Sequence, residues 1–386
     1  MIQIAQRMQK LSPNFFASLT SQIQSMQADG NDVIRLDQGS PDLPPAPPII
    51  AALDRSAASP DAHGYQPHRG TKKLRAAWAE MYRREFGVEL DPEVEVIPLL
   101  GSKEGIFHMI TAFIDPGDVV LIPDPGYMTY THGTIIAGGE PYYFPLRPER
   151  NYLPELREIP SDVLEKAKMV WLNYPNNPTA ASATLEFFYE AVDFAREHNL
   201  LLCHDAAYGQ VTFTGKNSPS LMQVPGSKDV AVEFNTLSKS HNMPGWRVGV
   251  VVGNSLAVNT LFHLKSTADS GHFQPVQEAA ILALTGDQGW LKGRNEIYQE
   301  RRDVVLQGLK KIGLSAKVPD ASIYVWSPVP KGFSSMDFVM AVLEKAHVSF
   351  TPGIIFGSGG EGYVRISLTA PKERMAEAMQ RLVERI

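Results

Sequence analysis

Six short apolar runs recur along the first two-thirds of this chain, at residues 94–100, 119–123, 169–172, 200–203, 230–234 and 248–252. Longer amphipathic stretches, among them 72–86, 104–114 and 186–198, separate several of them. Strand-length runs interleaved with helical segments imply βαβ units and a mostly parallel sheet. Past the last run the rhythm changes. A long helical stretch at 290–312 precedes strand-like runs at 322–326, 348–350 and 363–368, with helices at 335–346 and 371–386. The expected architecture is α/β: a large domain over residues 45–285 whose mostly parallel sheet is flanked by helices, and a smaller α+β domain over 286–386. Residues 1–44 read as an N-terminal arm and small-domain segment, and the sequence leaves open which part this segment packs on. The proline-dense stretch 39–48 reads as extended or turning, because proline fixes φ and disfavours helix in the residue before it.

Polar residues follow the carboxyl ends of five of these runs. They are Gly101-Ser102-Lys103, Asp124-Pro125-Gly126-Tyr127, Asn173-Tyr174-Pro175-Asn176-Asn177, His204-Asp205 with Tyr208, and Asn235-Thr236-Leu237-Ser238-Lys239. Open α/β sheets bind ligands outside the carboxyl ends of their strands, so five such ends would converge on one crevice. Gly101-Ser102-Lys103 precedes a helical segment and would aim backbone N–H groups at an anion, with the helix dipole behind them. It does not match the nucleotide P-loop pattern, which favours phosphate without a nucleotide.

Charge and composition remove several other functions. The net charge of −6 argues against nucleic acid as the main partner. No apolar stretch is long enough for a spanning helix, and residues 1–11 lack the apolar centre of a signal peptide, so the expectation is a cytoplasmic protein without a membrane partner. The single cysteine, Cys203, lies in an apolar run and reads as a buried structural thiol. The ten histidines show no metal spacing, so no metal site is expected, and there is no G-x-S-x-G elbow.

The segment Asn235-Thr236-Leu237-Ser238-Lys239-Ser240-His241-Asn242-Met243-Pro244-Gly245-Trp246-Arg247-Val248-Gly249 resembles the lysine segment of the class I/II aminotransferases, the fold-type I enzymes that use pyridoxal 5′-phosphate. The resemblance extends from Gly39-Ser40-Pro41 to Arg365-Ile366-Ser367-Leu368, with the motifs in the expected order. Asn177-Pro178-Thr179-Ala180 and residues 222–247 are most similar to the alanine and LL-diaminopimelate aminotransferase group.

That resemblance makes Lys239 the catalytic Schiff-base lysine, whose amine must be deprotonated to form the imine and to shuttle a proton. It implies that Arg247 and Ser238 hold the cofactor phosphate, with Ser102 and Lys103 closing the cup through their amides and Thr236 three positions before the lysine. The Lys103 side chain could instead face a substrate carboxylate. Asp205 would pair with the pyridine nitrogen, Tyr208 and Asn177 with the phenolic oxygen, and Tyr127 would lie against the ring. Arg365 resembles the arginine that clamps the substrate α-carboxylate, with Gly39 and Asn177 beside it. Tyr65 matches a tyrosine that reaches the phosphate of a neighbouring subunit, which implies a homodimer with shared active sites. Many members of the family have glycine after Asn-Pro-Thr; Ala180 is tolerable there provided its backbone keeps a negative φ.

The implied reaction is amino transfer between an L-amino acid and a 2-oxo acid by a ping-pong route through pyridoxamine phosphate. Glutamate/2-oxoglutarate is expected as one pair, with alanine or LL-diaminopimelate favoured for the other and aspartate open. Two alternatives use the same residues: a C–S β-lyase on the same fold, and, more remotely, a non-enzymatic cofactor-binding regulator. Gly357-Ser358-Gly359-Gly360-Glu361-Gly362 fits a dinucleotide pattern by letter, but a strand-like run follows it, so it reads as a turn.

Overall fold

The computed structural model describes residues 2–11 and 15–386. Its strands, in chain order, begin with β1 (Ile34–Arg35), β2 (Val96–Leu99), β3 (Val119–Asp124), β4 (Glu140–Pro145), β5 (Ala167–Asn173) and β6 (Leu201–Asp205). They continue with β7 (Ala231–Thr236), β8 (Gly249–Gly253), β9 (Tyr324–Pro328), β10 (Val348–Ser349), β11 (Thr351–Pro352) and β12 (Tyr363–Ser367). Seven of them form one sheet in the order β2-β8-β7-β6-β5-β3-β4. Neighbours run parallel except at β8, which is antiparallel to both β2 and β7.

The apolar runs are continuous rather than alternating because both faces of the sheet are covered. Along β5, Val170 and Leu172 enter one core cluster while Met169 and Trp171 enter the other. Cys203 sits fully buried in the second cluster, a structural thiol. One strand of the seven-stranded sheet escaped the sequence reading. Glu140-Pro141-Tyr142-Tyr143-Phe144-Pro145 buries only Phe144 and carries two prolines, which an edge strand accommodates because one row of its N–H groups has no partner to lose.

The chain reverses direction across the sheet between β5 and β3: β4 lies on one side of β3 and every later strand on the other. The carboxyl ends at this switch point frame a crevice.

The C-terminal third forms an antiparallel sheet, β11-β12-β9. The N-terminal segment joins it, since β1 pairs with β10 in parallel and Ile34 and Leu36 enter a core shared with Phe338, Ile366 and Leu382. The stretch expected to be extended through residue 48 stops short of that. Pro47 and Pro48 open a helix, Pro47–Ala57, at positions where a missing N–H costs nothing. Among the described residues, no helix is long and apolar enough to cross a membrane.

Candidate active site

A cleft of about 590 Å³ opens where β3, β5, β6 and β7 end. Twelve of the thirteen site residues expected from the sequence line it: Gly39, Ser102, Lys103, Tyr127, Asn177 and Asp205, then Tyr208, Thr236, Ser238, Lys239, Arg247 and Arg365. Tyr65 stands apart, 98% exposed and not among the residues lining the cleft.

One end of the cleft is built for an anion. Gly101 takes φ +83° ahead of the helix Ser102–Phe113, and a Cβ there would collide with Arg247 Nη2, so only glycine allows the loop and the guanidinium to approach this closely. Arg247 itself is left-handed at φ +57°, and its Nη1 donates to Pro244 O at 2.8 Å. Thr236 caps the turn Leu237–Ser240: its Oγ1 accepts from the Ser238 amide at 3.1 Å and donates to Ser238 Oγ at 2.9 Å. Free N–H groups, two hydroxyls and a guanidinium thus face the same space, a combination that suits a phosphate.

The middle of the cleft holds an amine and a carboxyl group. Lys239 Nζ donates to the carbonyl of Gly39. Burial, followed by the charges of Arg365 and Arg247, brings its ammonium down to about 8, so the neutral amine is far more accessible near physiological pH than in an ordinary lysine. Asp205 ends β6 and is buried. Its Oδ2 accepts from Tyr130 at 2.9 Å, while Oδ1 is buried without a partner. Burial pushes this carboxyl above its ordinary range, against the pull of the Tyr130 hydroxyl. A cationic N–H opposite Oδ1 would both fill the vacant acceptor and restore the carboxylate. Asn173 fixes the strand end by donating to Asp205 O at 2.7 Å.

At the other end, Arg365 projects from β12. Its Nη1 donates to Asn177 Oδ1 at 2.8 Å, and its Nη2 donates to Asp37 O at 3.0 Å. Tyr324 and Phe356 lie against its guanidinium at 4.3 and 4.7 Å. Its Nε is buried without a partner. A guanidinium held flat by two rings and still short of one acceptor is prepared for a carboxylate.

The sequence reading missed several contributors. Tyr130 lies beyond the end of β3, inside the helix Met128–Ala137, where nothing distinguishes it from a packing tyrosine. Tyr324 hydrogen-bonds to Tyr208 across 3.1 Å but belongs to a distant strand. Phe16, Thr20, Arg35, Asp37 and Gln38 reach the cleft because the N-terminal segment folds over it. Ala180 departs from the condition set for it. Its φ is +57°, so alanine occupies the left-handed region at the position where many relatives carry glycine.

The resemblance is borne out over nearly the whole chain. Residues 31–382 match the family Aminotransferase class I and II. The LL-diaminopimelate aminotransferase of Moorella thermoacetica is 48% identical over 381 residues, covering 99% of this chain and 98% of the relative. That of Desulforudis audaxviator is 49% identical over 378 residues, covering 98% and 96%. Among solved structures, substrate-bound BacF from Bacillus subtilis superposes with a TM-score of 0.96 at 38% identity, covering 100% of this chain and 98% of that one. With an anion end, a buried carboxyl lacking one donor and an amine of lowered pKa in one cleft, this chain belongs to the class I and II aminotransferases and is a pyridoxal-phosphate-dependent enzyme of that family.

Proposed function

We propose that the chain transfers the amino group of an L-amino acid to 2-oxoglutarate, with LL-diaminopimelate as the favoured donor, alanine next and aspartate open. The observation that carries this reading is one cleft lined by the Lys239 amine, the buried Asp205 with its unpartnered Oδ1 and the Arg365 guanidinium. The donor assignment draws on relatives named LL-diaminopimelate aminotransferase at up to 49% identity.

Pyridoxal phosphate, when bound, supplies an electron-accepting ring and a carbon that takes and returns the amino group. The residues that would hold it are Ser102, Lys103, Ser238, Thr236 and Arg247 at the phosphate, Asp205 at the ring nitrogen, Tyr208 and Asn177 at the phenolic oxygen, and Tyr127 against the ring. Arg365 binds the substrate α-carboxylate through its guanidinium edge, with the Gly39 backbone alongside, and so fixes the direction of the Cα–H bond. Lys239 Nζ, whose pKa burial lowers to about 8, takes up the Cα proton once it is in its neutral form. Asn177 serves both the ring and the carboxylate clamp, since the amide that accepts from Arg365 keeps its own N–H₂ free. The rings of Tyr324 and Phe356 shield the clamp from water. The two half-reactions follow a ping-pong order, the first oxo acid leaving before the second enters.

The same proposal has the enzyme working in the cytoplasm as a homodimer with shared active sites. Residues 45–285 form the cofactor domain, and 286–386, with the N-terminal segment, form the part that carries Arg365. A fully exposed tyrosine at position 65 is what such a shared site would need, because a large aromatic ring gains little in water.

A spectral half-reaction screen tests the reading. Purified, cofactor-loaded protein is mixed singly with glutamate, LL-diaminopimelate, alanine and aspartate, and the long-wavelength absorbance is followed. Glutamate and at least one of the other three should bleach it. If none of the four alters the spectrum, the transferase assignment is wrong. Release of pyruvate, ammonia and a thiol from added cystathionine, with no bleaching by glutamate, would favour the β-lyase.

A further inference from the structure

Arg35 ends β1 on the wall of the cleft and has no part in holding cofactor or α-carboxylate. Its Nε and Nη2 donate to Asp37 Oδ1 and Oδ2 at 3.1 and 2.7 Å, and Nη2 also donates to Thr20 Oγ1 at 3.2 Å. Asp37 is almost wholly buried, at 1% exposure, and Ser349 Oγ also donates to it, so both oxygens of this carboxylate are engaged. It works as a fixed counterion that sets the plane and direction of the Arg35 guanidinium.

The opposite edge of that guanidinium faces the exposed side chain of Gln38. With the amide oriented to satisfy both groups, Gln38 Oε1 accepts from Arg35 Nη1 at 3.0 Å and Nη2 at 3.2 Å. A single neutral oxygen thus spans the two-pronged edge that best fits a carboxylate. Gln38 is exposed, so swinging its amide into water costs little. Asp37 also ties this edge to the clamp: its carboxylate holds Arg35, while its carbonyl accepts from Arg365 Nη2 at 3.0 Å. Two guanidinia fixed by one residue line the same wall.

We propose that Arg35 is the specificity residue for a second, distal carboxylate, which displaces the Gln38 amide. The ligand class is a dicarboxylic amino or oxo acid, held at its α-carboxylate by Arg365 and at its far end by Arg35. This rests on the transferase reading above and narrows its substrates. A purely structural role for Arg35, tying the helix Phe15–Ala28 to β1 through Thr20, would give no preference between ligands.

Isothermal titration of the cofactor-loaded protein with glutarate and with pentanoate, which differ only in the distal carboxylate, is the test. Wild type should bind glutarate roughly tenfold or more tightly than pentanoate, the range of a charge-assisted pair of hydrogen bonds. Gln38→Glu places a carboxylate on the guanidinium edge from an exposed position, and Arg35→Lys keeps the charge but removes the fork. Each should bring the ratio close to one. An unchanged ratio in both variants overturns the assignment, as does a wild type with no preference or a collapse confined to Lys103→Ala. Glutamate bleaching of the wild type separates the two levels. Bleaching without a glutarate preference overturns only the role of Arg35; no bleaching by any amino acid overturns the transferase reading and the subsite with it.

Discussion

Arg365 Nη1 donates to Asn177 Oδ1 across 2.8 Å, joining the small antiparallel sheet to the loop after β5 over 188 residues of chain. The bond fixes one prong of the guanidinium, while the neighbouring Nε stays buried without an acceptor. A ligand carboxylate that engages this edge gains a charge-assisted pair of hydrogen bonds. Arg365→Lys retains the charge but lacks the planar fork. It is expected to raise the KM for amino donors by about 10- to 100-fold, the equivalent of 1.5–3 kcal/mol. The absorption spectrum of the bound cofactor should stay as in wild type, because Lys239 and Asp205 are untouched. Steady-state kinetics with a spectrum of each variant decide the point, and an unaltered KM would remove the clamp role.

Lys239 gives a pH signature in the cofactor-free protein. Burial brings its folded pKa to about 8 from the ordinary 10.5, with the charges of Arg365 and Arg247 adding to it. Between these values the unfolded chain holds more protons than the folded one, so this residue makes stability rise with pH from about 8 to 10.5. Below 8 the folded protein carries the full cost of a buried ammonium. That cost is on the order of 3 kcal/mol at 1.36 kcal/mol for each unit. Urea titrations of the apoprotein at pH 7.5 and 10 should therefore differ more for wild type than for Lys239→Met. Equal pH dependence in the two would show that the amine is not held in this desolvated state.

Much of this was legible in the sequence, for a physical reason. Strands buried on both faces read as continuous apolar runs, and the polar residues at their ends have no reason to be there except the crevice, which is why Asp205, Asn177 and Lys239 stood out. The unread parts depend on distance along the chain. Asp37 meets Arg365 because β1 pairs with β10 and the Ser367 amide of β12 donates to Leu36 O, contacts between segments far apart in the chain that no local pattern announces. The two prolines of β4 masked an edge strand. Gly357-Ser358-Gly359-Gly360 was correctly read as a turn, but not as a docking loop. Ser358 Oγ and the Gly359 amide donate to Asp124 at 2.7 and 2.9 Å, closing the C-terminal part onto the end of β3.

Tyr130 is the part of the site that sequence could not single out, and its removal should be measurable. Its hydroxyl is the side-chain donor to Asp205 Oδ2, in a place where water does not reach, and its ring stacks on Trp171 at 4.9 Å. Tyr130→Phe keeps the stacking and leaves a second carboxylate oxygen without a partner. The penalty for such a group is about 1–3 kcal/mol. The folded carboxyl should shift further upward, weakening its hold on a protonated ring nitrogen. Cofactor affinity is expected to fall by roughly tenfold, with kcat lowered as well. Equilibrium dialysis against the cofactor tests the first part. Wild-type affinity in this variant would mean the hydroxyl only fills space.

Ala180 supplies a prediction in the opposite direction. Its φ of +57° places a Cβ against the following carbonyl, a conformation that costs an L-residue about 1–2 kcal/mol and glycine almost nothing. The surrounding loop imposes that backbone. The Ala180 amide donates to Asn176 O at 2.9 Å and the Asn176 amide to Ala181 O at 2.8 Å, closing a tight turn just after Asn177. Glycine relieves the strain but gives the unfolded chain more freedom, which takes back part of the gain. The methyl group is buried and its loss takes back a little more. Ala180→Gly is therefore expected to stabilise the protein by about 0.5–1 kcal/mol, read as a higher urea midpoint with an unchanged slope. Because the turn carries Asn177, the KM for amino donors should move by less than about twofold, under 0.5 kcal/mol. A destabilised variant would show that the methyl packing outweighs the left-handed strain.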